Sequence, residues 1–404
     1  MVIGIIGAGA SGMAAALSAG ENKNVQVLLF ERQARVGRKL LATGNGRCNL
    51  TNLNAAPEHY HGENGAFAAY ALEKYSVPNT LHWFSELGLY TVAEPSGRVY
   101  PYSDQANSVV DVLRFALEKP NIQLLSGFEV KKVKAEHPGF TVENEEDSYF
   151  CDKLIVACGG LAGTKLGGSL SGYKLLQRLG HHCTALRPTL VQLKSDWPHS
   201  ASLKGVRANC RAEILCNDVL HAASCGELQF TEYGLSGPVI FEISRDACRQ
   251  KGRWVCRLDF LPDLGEEKLY QLFSQRRATS LLAEELLTGI LHNRLGRVIV
   301  KAAGISLHAP VGQLEDWELE RVCRLAKCLT IPLTEPLGMD AAQVTAGGIL
   351  TSEFAPETME SRILPGLYAC GEVLDIDGNC GGYNLQWAWS SGRCAGNSAG
   401  KESI

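Results

Sequence analysis

A strand, a glycine turn and a helix follow one another directly near the N-terminus. The β-branched run Val2–Ile6 predicts a strand buried on both faces, and Met13–Leu17 predicts the start of a helix. Between them, Gly7–Gly12 has the spacing Gly-x-Gly-x-x-Gly. In this context the spacing is typical of dinucleotide-binding domains, so the segment predicts an α/β fold built on a parallel sheet.

An acidic residue follows at the distance that such domains use. A second predicted strand, Val25–Phe30, is followed by Glu31, nineteen residues after Gly12. We expect Gly7 to allow the tight turn, Gly9 to let a pyrophosphate approach the backbone, and Gly12 to let the helix pack on the strand. Amides at the helix start then face the phosphates, and Glu31 accepts hydrogen bonds from ribose hydroxyls. The alternative is a compact turn that binds nothing.

The composition narrows the class of protein. The chain has 404 residues, enough for two to three domains of about 150 residues. Its 39 basic and 43 acidic residues give a net charge of −4, which disfavours a nucleic acid or a membrane surface as partner. The 14 cysteines form no Cys-x-x-Cys pair, which indicates reduced thiols. Glycines interrupt the apolar N-terminal stretch, so we expect a cytoplasmic protein without a membrane anchor.

Basic and small polar residues follow Glu31. Arg32–Lys39 contains four cations, for which a solvated basic loop is the alternative to cofactor contact. Leu40–Asn49 is too polar for a core and too rich in glycine for a helix. We predict a loop that wraps a flat heteroaromatic ring. No cysteine lies five residues from Cys48, so a dithiol relay to substrate is excluded.

The remaining pattern predicts two domains. A helix is expected near residues 108–118, a β meander near 122–125, 128–134 and 140–144, and a further parallel strand at 153–158. Antiparallel strands are expected near 190–193, 207–216, 227–231 and 253–260, with a helical subdomain at about 263–305. We therefore predict a discontinuous cofactor-binding domain, 1–187 with 342–404, and an inserted substrate or cap domain at 188–341.

The C-terminal segment returns to α/β character. Gly366–Asp375 predicts a strand, and a helix is expected from Tyr383 to about Ser398. Gly381 and Gly382 lie at the helix start, so its positive end faces the crevice. Such an end stabilises the negative charge of a reduced flavin; the alternative is an ordinary strand and helix that close the sheet.

Taken jointly, these motifs resemble those of the BaiN-type, or HI-0933-like, flavoproteins from residue 1 to about 400. The resemblance implies a Rossmann-type, glutathione-reductase-like FAD-binding domain with an inserted antiparallel β domain that carries a helical subdomain. The motifs that carry it are Gly7–Gly12, Val36–Lys39 with Thr43–Asn49, Gly97–Pro101, Gly226–Leu228 with Gly234–Pro238, and Gly371–Asp375 with Gly381–Gln386.

The resemblance also implies which residues contact FAD, and no metal site is expected. The expected FAD contacts are Gly7, Gly9, Ala10, Ser11, Gly12, Glu31, Arg32, Arg38, Lys39, Leu40, Gly44, Asn45, Gly46, Cys48, Asn49, Val130, Ala157, Gly371, Glu372, Gly382, Tyr383, Asn384 and Leu385.

Three functions are considered, of which the resemblance implies the first two. The first is NAD(P)H-dependent reduction of conjugated carbon–carbon double bonds in 3-oxo steroid or dehydro-bile-acid substrates, with hydride transfer through flavin N5. The others are oxidation of small amines such as aminoacetone, and a non-catalytic or RNA-modifying FAD-binding protein. The chain has a single glycine fingerprint after a strand, so NADH or NADPH is expected to dock transiently. The charge balance argues against RNA, and the oligomeric state stays open.

Enone reduction needs a proton donor and donors to the carbonyl oxygen. Tyr383, Tyr100, Tyr102 and Arg98 are candidates because they lie within or next to the cofactor motifs. The alternative for each is packing or phosphate support.

Overall fold

The computed structural model describes residues 1–247 and 250–401. They form two compact units, residues 1–187 with 343–401 and residues 188–342. The sequence pattern placed the second boundary one residue earlier, between 341 and 342. We call them the first and the second unit.

The elements are as follows. Strands are β1 (Val2–Ile6), β2 (Gln26–Glu31), β3 (Thr51–Asn52), β4 (Tyr60–His61), β5 (Thr91–Ala93), β6 (Arg98–Pro101), β7 (Ile122–Ser126), β8 (Lys132–Ala135), β9 (Phe140–Glu143), β10 (Ser148–Cys151), β11 (Lys153–Val156), β12 (Arg187–Thr189), β13 (Leu193–Lys194), β14 (Arg207–Cys216), β15 (Val219–Thr231), β16 (Gly234–Ser236), β17 (Trp254–Asp259), β18 (Leu329–Leu333), β19 (Val344–Ala346), β20 (Leu367–Ala369) and β21 (Asp377–Gly378). Helices are α1 (Ala10–Ala19), α2 (Arg38–Ala42), α3 (Ala69–Lys74), α4 (Val77–Glu86), α5 (Ala106–Ala116), α6 (Ser171–Arg178), α7 (Pro238–Ile243), α8 (Glu266–Arg276), α9 (Asn293–Ala302), α10 (Asp316–Lys327) and α11 (Tyr383–Ala399).

A five-stranded parallel sheet, in the order β20-β11-β1-β2-β7, forms the centre of the first unit. Its middle strand is buried on both faces, with Ile3 and Ile5 fully inaccessible. One assignment was wrong: the strand at Ile122 pairs in parallel with β2 instead of joining the meander. The antiparallel meander consists of β8, β9 and β10.

Helices α1 and α11 pack backbone against backbone. A Cβ on Gly392 would lie 2.3 Å from the carbonyl oxygen of Ser11, and one on Gly396 would lie 2.2 Å from that of Ala15. The small residues of both helices allow this approach, which places the glycine turn before α1 and the glycine pair before α11 in one compact unit.

A buried amide network holds α11 on its other side. The Gln386 amide nitrogen has three acceptors within hydrogen-bonding distance for its two hydrogens, the Tyr75 carbonyl oxygen (3.0 Å) and the hydroxyls of Thr80 and Ser390 (2.9 Å each). Its oxygen accepts from the Thr51 hydroxyl (2.6 Å). Because every buried polar atom of Gln386 is paired, a polar residue is tolerated in the core.

The second unit contains a six-stranded antiparallel sheet, in the order β13-β16-β15-β14-β17-β18, packed with helices α8, α9 and α10 around one core. The helical part extends beyond residue 305, where the sequence pattern ended it. Helix α10 begins at a capping box in which the Glu315 amide donates to the Glu318 carboxylate (2.9 Å). Because α10 carries many charged residues, its sequence does not readily show the buried apolar stripe that includes Leu319 and Val322.

Two local assignments also change. Residues 38–42 form the short helix α2 instead of a loop. The strand expected at 366–375 ends at Ala369, where a 3₁₀ turn at Gly371–Val373 replaces it. Within residues 1–247 and 250–401, no helix is both long and apolar enough to cross a bilayer.

Candidate cofactor and active site

The turn between β1 and α1 is tightly packed at two of its three glycines. Gly7 has φ +103° and its amide donates to the Phe30 carbonyl oxygen (2.8 Å). A Cβ on Gly12 would lie 1.7 Å from the carbonyl oxygen of Gly7, and one on Gly7 would lie 2.6 Å from that of Ala157. These two glycines therefore serve the fold of the turn.

Gly9 differs from its neighbours because an added Cβ would meet no atom within 4 Å. It is the N-cap of α1, and no side chain caps that helix or places an acidic group in its first turn. The open space faces the positive end of a ten-residue helix, next to the backbone of Ala10 and Ser11. Such a cradle fits the diphosphate of a dinucleotide.

Glu31 lies at the end of β2, beside this turn. Its carboxylate accepts hydrogen bonds from the amides of Ala8 and Gln33, both at 2.8 Å. The carboxylate keeps further lone pairs for ribose hydroxyls. The neighbouring Arg32 donates to the Gly167 carbonyl oxygen. Arg38 is exposed and donates to the Gln33 side chain (3.2 Å).

The segment after α2 has an unusual backbone. Gly44, Asn45, Gly46 and Cys48 all have positive φ, and for Asn45 and Cys48 this is an uncommon conformation for residues with a Cβ. Arg47, which lies within the segment, ties it to the rest of the first unit through ion pairs with Glu94 and Asp104. Such strain persists where the surroundings enforce it, often at ligand sites.

Two side chains of this region, Arg47 and Asn49, lie in contrasting environments. Arg47 forms ion pairs with Glu94 and Asp104, and its guanidinium lies 4.0 Å from the Tyr100 ring centre. Asn49 is 91% buried, and its side-chain oxygen has no hydrogen-bond partner. A buried acceptor left unpaired costs free energy, so it calls for a donor from a ligand.

The glycine pair before α11 lies beside this acceptor. Gly382 has φ +103°, and a Cβ there would lie 2.4 Å from the Thr51 carbonyl oxygen and 2.9 Å from the Asn49 side-chain oxygen. The 17-residue helix α11 has no capping side chain and no acidic residue in its first turn. An acceptor beside the positive end of a helix complements the pyrimidine edge of a flavin, which presents an N–H between two carbonyl oxygens. The residues present therefore fit FAD.

The N-terminal and C-terminal segments are also joined by an ion pair. Lys39 Nζ lies 2.8 Å from Oε2 of Glu372, and Oε1 of Glu372 accepts from the Thr345 amide (2.8 Å). Glu372 lies in the 3₁₀ turn that starts at Gly371. The ion pair brings two predicted FAD contacts together, and Thr345 is a partner that no sequence pattern pointed to.

The other expected FAD contacts occupy varied positions. Leu40 and Val130 are buried, and Val130 follows β7. Leu385 is half-buried in the first turn of α11. The amide of Asn384 is engaged by the main chain of Gly378, which it both accepts from and donates to at 2.8 Å. That side chain therefore shapes the loop before α11.

The four candidates for chemistry lie in different environments. Tyr383 is buried, with its ring centre 5.0 Å from that of His59. Burial raises the pKa of the Tyr100 hydroxyl above its usual value. Tyr102 is 79% exposed. Arg98 is half-buried against Gly381, where an added Cβ would lie 3.0 Å from its Nε.

Comparison with known proteins identifies the family to which this fold belongs. A family model described as the HI0933-like protein Rossmann domain matches residues 1–398. The chain belongs to the HI0933-like family. The expected Rossmann-type FAD-binding fold with an antiparallel β unit is confirmed.

Among the relatives of this HI0933-like protein, a 3-dehydro-bile acid delta(4,6)-reductase of Clostridium scindens is 38% identical over 98% of both chains. A ribosomal RNA dihydrouridine synthase of Escherichia coli is 34% identical over 96% of this chain and 95% of the relative. A crystal structure of 3-ketosteroid delta1-dehydrogenase from Sterolibacterium denitrificans has a TM-score of 0.51 at 12% identity, covering 98% of this chain and 99% of that one. This last likeness concerns the fold alone.

In residues 1–247 and 250–401 of this HI0933-like protein, every cysteine is a free thiol. Burial raises the pKa of Cys48 to about 12, so this thiol stays protonated. Nor does the described part of the chain contain a cluster of three residues able to hold a metal ion.

Asn52 is a site residue that the sequence pattern missed. Its side-chain nitrogen donates to the Gly381 carbonyl oxygen (2.8 Å). The available signal was its position, because amide residues continue past Asn49 into β3.

Proposed function

We propose that this flavoprotein reduces a carbon–carbon double bond conjugated to a carbonyl group, with NADH or NADPH as the source of electrons. The observation that supports this most directly is the 38% identity, over 98% of both chains, to a protein named as a delta(4,6)-reductase. The name of the second relative, a dihydrouridine synthase, describes the same class of chemistry. Dihydrouridine is uridine whose carbonyl-conjugated ring double bond has been saturated.

The site indicates what FAD would supply and what the residues of the chain would do. FAD, when bound, supplies hydride chemistry. The chain's own residues bind and orient it: the open cradle at Gly9 and Glu31 suit the diphosphate and ribose, and Asn49 with the start of α11 suits the flavin ring. Because the Cys48 thiol is buried and protonated, it provides no thiolate relay, which favours direct transfer between flavin and substrate.

A 3-oxo steroid of the dehydro-bile-acid type is the first substrate to test, because the reductase, at 38% identity, is more similar to this chain than the Escherichia coli dihydrouridine synthase, at 34%. The net charge of −4 also favours a small molecule over a polyanion. Uridine in ribosomal RNA is the second candidate, favoured by the 34% identity to the Escherichia coli protein.

The test is an anaerobic titration of the FAD-loaded protein with NADH and with NADPH, followed through the visible flavin absorption. A 3-oxo steroid with conjugated double bonds, or an unmodified ribosomal RNA transcript, is then added. The proposal predicts bleaching by a nicotinamide and recovery of the flavin colour, with a saturated steroid or dihydrouridine detected by mass spectrometry. The FAD-free protein is the control.

The outcomes separate the candidates. Recovery with steroid alone assigns the first substrate class, and recovery with RNA alone assigns the second. No bleaching by either nicotinamide, together with peroxide formation from a small amine in air, would replace the proposal by an amine oxidase. Bleaching without recovery by either class of conjugated substrate would also contradict it.

A further inference from the structure

Arg98 is a half-buried cation without a counter-ion. No carboxylate lies within ion-pairing distance of it and no acceptor within hydrogen-bonding distance in the part of the chain that the structure describes. The acidic side chains of this region, Glu94 and Asp104, are both bound by Arg47. Among the described residues, Arg47 therefore has two carboxylate partners, whereas Arg98 has none.

Arg98 is also held in a defined place. It begins β6, where it pairs with Asn52 of β3, and its carbonyl oxygen accepts from the Glu94 amide (2.8 Å). Its side chain lies along Gly381, with Nε 3.0 Å and Cγ 3.6 Å from the position of an added Cβ. The Asn52 side-chain nitrogen donates to the carbonyl oxygen of Gly381 and so holds the same glycine. A side chain larger than glycine at 381 would displace the guanidinium.

A second positive feature lies next to it. Gly381 leads into Gly382, the N-cap of α11, whose first turn carries neither a capping side chain nor an acidic residue. The buried oxygen of Asn49 beside Gly382 lacks a donor, which independently indicates that a ligand completes this place. Arg98 and the helix end thus present positive charge beside a ligand site, where negative charge is most strongly stabilised.

Reduction of a conjugated double bond creates such a charge. When a hydride adds to the β carbon, the two π electrons of the double bond move toward the carbonyl, whose oxygen becomes an enolate. A proton then adds to the α carbon, and the carbonyl re-forms. The net change is one hydride from the reduced nicotinamide or flavin pool and one proton from solvent. Between these events the oxygen carries negative charge, which a cationic hydrogen-bond donor stabilises.

We propose that Arg98 is a catalytic residue that binds the carbonyl oxygen of the substrate and stabilises the enolate charge on it. This inference rests on the proposed function. It applies to a 3-oxo steroid and to a uracil ring alike, because both carry the double bond in conjugation with a carbonyl. A guanidinium suits the task because it stays charged at every working pH and donates in a plane.

The test uses a phenol, whose oxygen mimics an enolate, and needs no turnover. 4-Chlorophenol is titrated into the oxidised, FAD-loaded protein, and the long-wavelength charge-transfer band of a phenolate stacked on flavin is followed as a function of pH. The variants are Arg98→Gln and Arg98→Lys. Arg178→Gln, which removes an exposed arginine of α6, is the matched control.

We expect Arg98→Gln to weaken phenolate binding at least tenfold and to move the half-point of the band to higher pH, with Arg98→Lys intermediate and the control unchanged. In turnover, kcat falls in Arg98→Gln by a larger factor than KM rises. The thermal midpoint and FAD content of each variant show whether the protein is intact, and Arg98→Lys keeps the test decisive if Arg98→Gln does not fold.

Two results would overturn the assignment: no charge-transfer band with the wild-type protein at any pH, or an unchanged titration in Arg98→Gln, whether the flavin reduction potential of that variant is unaltered or lowered. A lowered potential would assign Arg98 to the cofactor. Failure of the proposed function is distinguishable, because it would leave the phenolate titration of the wild-type protein and its dependence on Arg98 in place while no enone is reduced.

Discussion

Lys39 Nζ lies 2.8 Å from Oε2 of Glu372, an ion pair between residues 333 positions apart in the chain. Both side chains are partly shielded, with exposed fractions of 32% for Lys39 and 18% for Glu372. The pair joins α2 to the turn after β20, two segments that the glycine motifs independently indicate as cofactor contacts.

Replacing Lys39 by methionine is expected to weaken FAD binding about tenfold, which corresponds to about 1.4 kcal/mol. The reason is that Glu372 keeps a negative charge without its partner, next to a site for an anionic cofactor. The measurement is the FAD dissociation constant from quenching of flavin fluorescence. Lys174→Met, at an exposed position of α6, is the control. Equal affinities for all three proteins would show that the ion pair has no part in binding.

Gly9 and Gly12 are expected to respond differently to the same methyl group. Gly12→Ala prevents folding, because its Cβ would lie 1.7 Å from the Gly7 carbonyl oxygen. Gly9→Ala keeps the thermal midpoint of the FAD-free protein, because Gly9 has φ −80° and open space around the added atom. It nonetheless lowers FAD affinity by at least about tenfold, since the methyl occupies the place of a phosphate. Full FAD binding by folded Gly9→Ala would refute the proposed cradle.

The contact between α1 and α11 is expected to tolerate no side chain at Gly396. Gly396→Val places a Cβ only 2.2 Å from the Ala15 carbonyl oxygen. Overpacking of this kind costs about 1–3 kcal/mol or more. Urea unfolding of the FAD-free protein measures the loss. Ser398→Ala, on a half-buried position of the same helix, is the control, and a similar midpoint for the two variants would count against the packing argument.

The stability of the first unit is expected to fall toward acid pH through His181. This buried ring lies 2.8 Å from the Glu353 carboxylate and 3.0 Å from the Ser361 hydroxyl. Burial lowers the pKa of His181. Burial opposes a low pKa for Glu353, but hydrogen bonds from His182 and His181 outweigh it and hold that pKa below its usual value.

Both shifts act in the same direction. The unfolded chain binds a proton at His181 from about pH 6.5 downward while the folded chain resists it, so stability is complete above that pH and declines below it. The Glu353 contribution is complete above about pH 4.3 and is lost as pH falls through its lower folded pKa. Thermal midpoints of the FAD-free protein across this range measure the slope. His181→Gln should flatten it near pH 6, exposed His82→Gln should not, and a midpoint that rises toward acid pH would contradict the assignment.

Much of the glycine turn between β1 and α1 could be predicted because it depends on residues that are close in the sequence. The spacing of Gly7, Gly9 and Gly12 after a buried strand specifies a turn whose tight and open positions follow from sterics alone. Strand pairing was less accessible: the run at Ile122 has no local feature that separates a parallel edge strand from a meander. In α10, surface charges obscured the buried stripe.

The order of glycines, apolar runs and acidic residues thus determined by itself that this chain builds a Rossmann-type flavin domain, because short-range backbone sterics and periodicity suffice for that. Only the tertiary structure decided that Lys39 meets Glu372, that α11 lies on α1, and that Arg98 lies unpaired beside Gly381. These contacts join residues hundreds of positions apart. Their geometry depends on how closely packed backbones approach one another, which no local spacing in the sequence encodes.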